Sequence, residues 1–270
     1  MTSLGGRGSF AGMQNQRAIY PYLSPALPRI FAHRGFASVG IAENTIQAFR
    51  AALELGATHI ESDIQVTKDG VPVLFHDIDL LRVAGLPRKI SELSLSELET
   101  VELNDGGRVP TLAGALQALP EARFNLDLKV PEAIAPSVAI IRALKAENRV
   151  LVTSFSDSRR DQALRLFDAP VASSAGSVRV LGLWLAAKLQ LGPWVRLLAR
   201  PVQALQIPSG KGPIRFDSPA FITQMTAAGL ELHYWTINDA PEMLRLIGLG
   251  AHGIVTDRTD IAVKTLRMAS

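Results

Sequence analysis

The chain has 270 residues, 47% hydrophobic and 20% charged, with a formal net charge of +3. That length suits one α/β barrel or two modest domains, and the composition supports a sizeable buried core rather than disorder. The mild basic excess suits an anionic substrate or an acidic membrane surface. Without a zinc finger, basic helix or interleaved aromatic–basic stretch it argues against nucleic acid, and the lack of cysteine excludes disulfides and thiolate chemistry.

Residues 1–16 are rich in Gly and Ser and lack the apolar run of a signal peptide. No stretch reaches the length of a transmembrane helix, so a cytoplasmic protein is the default expectation. Residues 1 to about 27 are read as a flexible arm and 28–270 as one domain, since no Pro/Gly/Ser linker divides them. From Pro28 onward short apolar runs alternate with helical patterns. Candidate strands are Ile30–His33, His59–Gln65, Arg123–Lys129, Val150–Ser154, Val171–Ser174, Ala204–Ile207, Glu231–Thr236 and Gly253–Thr256. Helical period occupies Thr45–Leu55, Glu132–Asn148 and Asp157–Phe167 between them. Eight strands, each followed by a helix, predict a closed (β/α)8 barrel rather than an open doubly wound sheet.

Two segments depart from the repeat. Asp69-Gly70 is a tight-turn signal, so the second strand is expected to run into a hairpin ending at His76, with Asp77–Arg108 a small insertion at the barrel mouth. Ser177–Arg200 is long, apolar and basic, and reads most simply as the fifth barrel helix plus a loop.

Strand alternation then places the chemistry. In His59-Ile60-Glu61-Ser62-Asp63-Ile64-Gln65 the odd positions are polar, and in Phe124–Lys129 the polar set is Asn125, Asp127 and Lys129. Residues two apart share a face, so both sets are expected to point into the barrel. Glu61, Asp63 and Asp127 would then converge at the rim, where three carboxylates repel one another unless a cation lies between them. Oxygen ligands favour Mg²⁺ or Ca²⁺ over zinc. His33 ends the first strand and His76 the hairpin, which puts two imidazoles beside the carboxylates as a general acid and a general base. Arg34 and Lys129 would neutralise phosphate oxygens. Glu43-Asn44-Thr45 opens the first helix, and Glu43 could also brace Arg34 or approach the metal. His59 and His252 read as structural, and His233 as a barrel-layer or pocket-wall residue sharing the inward parity of Trp235.

An ordered set of motifs spans about Ile30 to Asp260. It comprises His33-Arg34-Gly35, Glu43-Asn44-Thr45, Glu61-x-Asp63, Thr67-Lys68-Asp69-Gly70, His76-Asp77, Pro110-Thr111-Leu112, Asp127-Leu128-Lys129, Ser154-Phe155, Trp235-Thr236-x-Asn238 and Gly253–Arg258. In these the chain resembles the glycerophosphodiester phosphodiesterases. The resemblance implies a (β/α)8 barrel with a small insertion after strand two. It implies a divalent cation, Mg²⁺ or Ca²⁺, held by Glu61, Asp63 and Asp127, with His33 and His76 as the acid/base pair. Arg34, Lys129 and Trp235 match substrate- and phosphate-binding positions, and Glu43 and Asn44 support them. Members hydrolyse glycerophosphodiesters to sn-glycerol 3-phosphate and an alcohol. Attack by a substrate hydroxyl, through a cyclic phosphate, would explain a preference for glycerol. Asp127 stands where many relatives carry Glu, and the shorter arm bears on the choice between Ca²⁺ and Mg²⁺ while keeping the ligand.

Other readings keep the same barrel. Residues 180–200 could form an amphipathic lip on an anionic membrane that admits lysophospholipids, giving a lysophospholipase D that is peripheral to the membrane. A non-catalytic barrel binding phospho-ligands is a further alternative, disfavoured by the intact His33/His76 pair. Phospholipase-type barrels releasing cyclic products are another. Head group, metal and oligomeric state are not legible in the sequence.

Overall fold

A computed structural model describes residues 18–267. Its centre is a ring of short parallel strands: β1 (Arg29–His33), β2 (His59–Val66), β3 (Phe124–Leu128), β4 (Val150–Thr153), β5 (Ala172–Ser173), β6 (Ala204–Ile207), β7 (Glu231–Tyr234) and β8 (Gly253–Thr256). Chain neighbours are sheet neighbours, and β1 pairs with both β2 and β8. A parallel bridge from Ser174 to Ala204 links β5 to β6 and nearly closes the (β/α)8 barrel. The predicted strands are all present: two match at both ends, two are one residue longer, and four are shorter by one or two residues.

The longer helices around the ring are α1 (Ile46–Leu55), α2 (Leu112–Ala118), α3 (Ile134–Ala143), α4 (Asp157–Leu164), α5 (Ser177–Lys188), α6 (Gly192–Ala199), α7 (Pro219–Ala227), α8 (Ala240–Gly248) and α9 (Thr259–Arg267). Local chemistry sets their ends. Thr45 caps α1 by accepting from Ala48 N, and Gly56 stops it in the left-handed region at φ 108°. The buried face of α1 carries Phe49, whose ring meets Phe124 of β3 edge-on at 5.7 Å. Phe124, Leu126 and Leu128 thus face the helices, while Asn125 and Asp127 face the barrel interior. None of the described helices is long and apolar enough to cross a membrane.

The Asp69-Gly70 turn is formed as expected: Gly70 N donates to Thr67 O, and Pro72–Leu74 returns antiparallel along β2. Residues 77–108 then fold over a small core of their own, with Leu80, Ile90, Leu93, Leu98 and Leu103 packed on Val73 and Phe75 of the hairpin. The second departure differs from expectation. Residues 177–200 are two helices rather than a helix and a loop, and Arg179 donates to Leu198 O, so α6 folds back along α5 as a hairpin. Pro193 sits in the first turn of α6, where its missing N–H and fixed φ favour a helix start.

Of the arm expected over residues 1 to about 27, residues 1–17 lie outside the described residues. Its last part packs against the barrel floor: Tyr22 and Leu23 are fully buried, and His59 holds Tyr22 O at 3.0 Å. The floor also holds Arg29, wholly buried, which donates to Leu23 O, Pro25 O and both carboxylate oxygens of Glu231. His233 joins Glu231 at 3.2 Å and packs on Phe31, as a barrel-layer residue should.

Candidate active site

At the opposite, C-terminal end of the strands lies a cavity of about 580 Å³, lined by His33, Arg34, Glu61, Asp63, His76, Asp127 and Lys129 among others. Its polar corner is built by the turn after β1. Arg34 and Gly35 both take positive φ, 57° and 83°, and a Cβ on Gly35 would lie 2.8 Å from the backbone of Ala48. Only glycine fits there. The turn aims Arg34 N at Glu61 O (2.9 Å) and sends Arg34 O to Asn44 N (2.8 Å). Asn44, itself at φ 54°, accepts from Ser62 Oγ at 2.7 Å and so fixes the loop to β2.

Lateral pairing of Glu61 with Asn125 and of Asp63 with Asp127 brings the three acids onto adjacent strands. Lys129 Nζ reaches Asp63 at 2.6 Å and Asp127 at 2.8 Å, while Arg34 Nε stands 3.7 Å from Asp63. Burial, reinforced by the charge on Asp63, pushes Glu61 up to about 8. Burial also raises Asp127, against the pull of Lys129. For Lys129 burial acts downward, but Asp63 and Asp127 outweigh it and hold the ammonium above its ordinary value. Carboxylate oxygens are in excess of donors: Asp63 Oδ2 and Asp127 Oδ1 are buried with no hydrogen-bond partner. An all-oxygen donor set with unsatisfied carboxylate oxygens suits a hard divalent cation. As placed, no three acidic or histidine side chains among the described residues already converge on one ion; the Lys129 ammonium lies between two of the acids.

Each rim histidine has its own aspartate. His33 Nδ1 meets Asp257 Oδ1 at 2.6 Å, leaving Nε2 3.8 Å from Glu61. Burial disfavours the charged ring, yet the Asp257 hydrogen bond and Glu61 lift His33 above its usual value. Asp257 is braced in turn by Asn238 Nδ2 at 2.8 Å. His76 Nδ1 meets Asp77 Oδ1 at 2.7 Å. Arg82, from the insertion, donates to Asp77 at 2.6 Å and to both oxygens of Glu43 at 2.5 and 2.9 Å. Glu43 meanwhile accepts from Arg34 at 3.0 Å. For both Asp77 and Glu43, burial would raise the carboxyl, but these partners bring it below the ordinary range.

All the acids, cations and histidines expected at the site therefore meet around one cavity, with Glu43 and Asn44 behind Arg34. Trp235 lies in the cavity's apolar wall with its ring against Phe155, and Phe155 in turn faces Lys129 Nζ at 5.7 Å. Three residues went unassigned in the sequence reading. Asp257 and Asn238 stood in recognised motifs without a role, and nothing short of the barrel's closure brings residue 257 to residue 33. Arg82 carried no signal at all. His59 and His252 lie away from the cavity, where His59 binds Tyr22 O and His252 Nδ1 accepts from Leu232 N.

Known proteins share this arrangement's sequence and fold. A model described as the glycerophosphoryl diester phosphodiesterase family matches residues 33–261. A Mycobacterium tuberculosis protein named probable glycerophosphodiester phosphodiesterase 2 is 39% identical over 231 residues, covering 85% of this chain and 87% of that one. A rat protein named lysophospholipase D is 27% identical over 270 residues, covering 86% and 83%. Among solved structures, an Oleispira antarctica phosphodiesterase in complex with the product sn-glycerol-3-phosphate shares the fold with a TM-score of 0.72 at 24% identity, covering 89% of this chain and 97% of that one. With its family model running from the first rim histidine into α9, the chain belongs to the glycerophosphoryl diester phosphodiesterase family and is a phosphoric diester hydrolase.

Proposed function

We propose that this hydrolase cleaves glycerophosphodiesters to sn-glycerol 3-phosphate and an alcohol, using His33 and His76 as its acid/base pair. The observation that carries the reading is the pair of imidazoles on one cavity, each with Nδ1 held by its own aspartate. A ring whose Nδ1–H is held by a carboxylate keeps Nε2 as the nitrogen that takes or gives a proton. One histidine accepts the proton of the attacking oxygen as it bonds to phosphorus, whether that oxygen belongs to water or to the substrate's glycerol hydroxyl, whose cyclic phosphate water then opens to glycerol 3-phosphate. The other delivers a proton to the departing alcohol as its bond to phosphorus breaks. Asp257 and Asp77 act as positioning residues, fixing each ring's orientation and supporting its charged form.

Arg34 and Lys129 bind the phosphate oxygens, and both are oriented before substrate arrives, by Glu43 and by the acids of β2 and β3. Glu61, Asp63 and Asp127 hold a divalent cation, which supplies Lewis-acid polarisation of the phosphate. The support is the set of buried carboxylate oxygens left without hydrogen-bond partners, Asp63 Oδ2 and Asp127 Oδ1, which would be among the atoms that hold it. Mg²⁺ and Ca²⁺ both suit the donor set.

The test is release of glycerol 3-phosphate from glycerophosphocholine with Mg²⁺, with Ca²⁺ and with EDTA. Release that requires metal, and that falls at least about 10²-fold in His33→Ala and His76→Ala, is expected. Full activity in either alanine variant would overturn that histidine's role, and a cyclic phosphate as final product would move the chain to cyclising chemistry. Release of the head-group alcohol from lysophospholipids, leaving lysophosphatidic acid, is the weaker reading, since the 39% identical relative carries the glycerophosphodiester name and the lysophospholipase D relative is at 27%.

A further inference from the structure

The helical hairpin α5–α6 presents a surface that the hydrolysis of a soluble diester does not use. Val178, Leu181, Leu185 and Leu189 recur at helical spacing along one side of α5, and Trp194 and Leu197 lie on α6. All six are between 49% and 79% exposed. The opposite sides of both helices are buried through Val180, Leu183, Ala187, Val195 and Ala199, so the exposed row is additional to the packing face. A row of this kind on a water-facing helix hairpin signals a docking surface rather than scattered apolar residues.

Charge identifies the partner. No Asp or Glu stands between Asp168 and Asp217, while six Arg and Lys do. Among these, Lys188, Arg196, Arg200 and Lys211 are exposed and make no ion pair among the described residues. Lys188 lies over the Trp184 ring at 4.9 Å. Trp184 Nε1 in turn donates to Arg215 O, tying α5 to the small hairpin Gly210–Arg215 that carries Lys211. Apolar side chains rimmed by cations and free of carboxylates match a bilayer surface with anionic head groups. They do not match a protein partner of mixed charge.

The same face is continuous with the catalytic cavity. Val180, Leu181, Ile214 and Phe216 form an apolar part of its wall, with Lys211 beside them. A bilayer on the hairpin would therefore lie at the mouth itself.

We propose that the α5–α6 hairpin, with residues 210–215, seats the barrel mouth on an anionic phospholipid bilayer. The proposal concerns the surface and rests on the glycerophosphodiester reading only for what the cavity does once docked. Its test needs no turnover: sedimentation of the full chain with sucrose-loaded vesicles of phosphatidylglycerol and phosphatidylcholine, against vesicles of phosphatidylcholine alone. Binding to the anionic vesicles is expected to be about tenfold or more tighter, and to weaken as salt rises. Leu185→Asp with Leu189→Asp, and separately Arg196→Glu with Arg200→Glu, should each lower vesicle binding about tenfold or more. Neither pair lines the cavity, so turnover of soluble glycerophosphocholine should stay at the wild-type rate.

Equal binding to both vesicle types, or variants that bind like the wild type, would overturn the proposal. So would a concentration-dependent dimer in light scattering that the same variants abolish without any vesicle binding, because the face would then cover a second copy of the chain. Should the leucine pair fail to fold, the exposed arginine pair still decides the question. A protein that binds vesicles yet releases no glycerol 3-phosphate would sink the activity and leave the surface standing.

Discussion

At the floor of the barrel the buried Arg29 guanidinium meets both oxygens of Glu231, at 2.6 and 2.8 Å, and His233 shares that carboxylate. At the mouth, three buried carboxylates have one ammonium close to two of them, and Arg34 is shared with Glu43. The two clusters stand on some of the same strands: β1 carries Arg29 and His33, and β2 carries His59 and Glu61. The floor balances one cation against one anion and fills the guanidinium's remaining hydrogen bonds with backbone carbonyls. The mouth leaves carboxylate oxygens unpartnered and holds Glu61 up near 8. A closed polar cluster fixes a structure, whereas one with surplus charge is ready for a ligand of the opposite sign.

Substitutions at the two ends should separate stability from chemistry. The largest effect belongs to the mouth: His33→Ala or His76→Ala should cut turnover by about 10²- to 10⁴-fold while the melting temperature stays within a few degrees of wild type. At the floor the outcome is reversed. Glu231→Ala strands a buried guanidinium and should cost about 3–5 kcal/mol in denaturant unfolding, with KM of the folded fraction unchanged. Wild-type KM and stability in that variant would remove the distinction between the two ends.

Smaller effects sharpen the contrast. Because burial and the charge on Asp63 push Glu61 up to about 8, its carboxyl is largely protonated at neutral pH, and Glu61→Gln should match or exceed wild-type melting temperature in EDTA at pH 7. It should also lose the stabilisation that Mg²⁺ or Ca²⁺ gives the wild type in the same thermal-shift assay. Arg82→Ala removes the guanidinium that serves Asp77 and Glu43 together. About a tenfold fall in kcat with little change in KM is expected, and Arg82→Lys should recover part of it.

The smallest effect is in acid. Burial holds His59 well below its ordinary value, so on acidification the unfolded chain takes up a proton that the folded chain refuses. Stability contributed by that neutral ring is present above about pH 6.5 and is lost as pH falls below it. His59→Gln should flatten the decline in melting temperature between about pH 7 and 5. A decline as steep as that of the wild type would assign the acid sensitivity elsewhere.

Much of this geometry is legible from local pattern. Alternation in Phe124–Lys129 separates the helix-facing from the cavity-facing residues, and Asp69-Gly70 announces the hairpin that carries His76 to the rim. Such features depend on residues a few positions apart. The His33–Asp257 contact depends on β1 pairing with β8, which no local pattern encodes, although both residues lie in recognisable motifs. Arg82 is further from reach, because its direction is set by the insertion's own core rather than by a strand or helix period. The α6 helix opens on Gly192-Pro193, a pair that in sequence reads equally well as a break between elements and as a helix start.

The burial of Tyr22 and Leu23 ahead of β1 has a practical side for anyone shortening this chain. These residues stopper the floor, and Arg29 reaches back to the carbonyls of Leu23 and Pro25. A truncation starting at Pro28 keeps every strand yet uncorks the barrel, wetting His59 and leaving Arg29 two acceptors short. A shortened chain that keeps the floor closed should therefore begin no later than about Tyr20, several residues before the first strand.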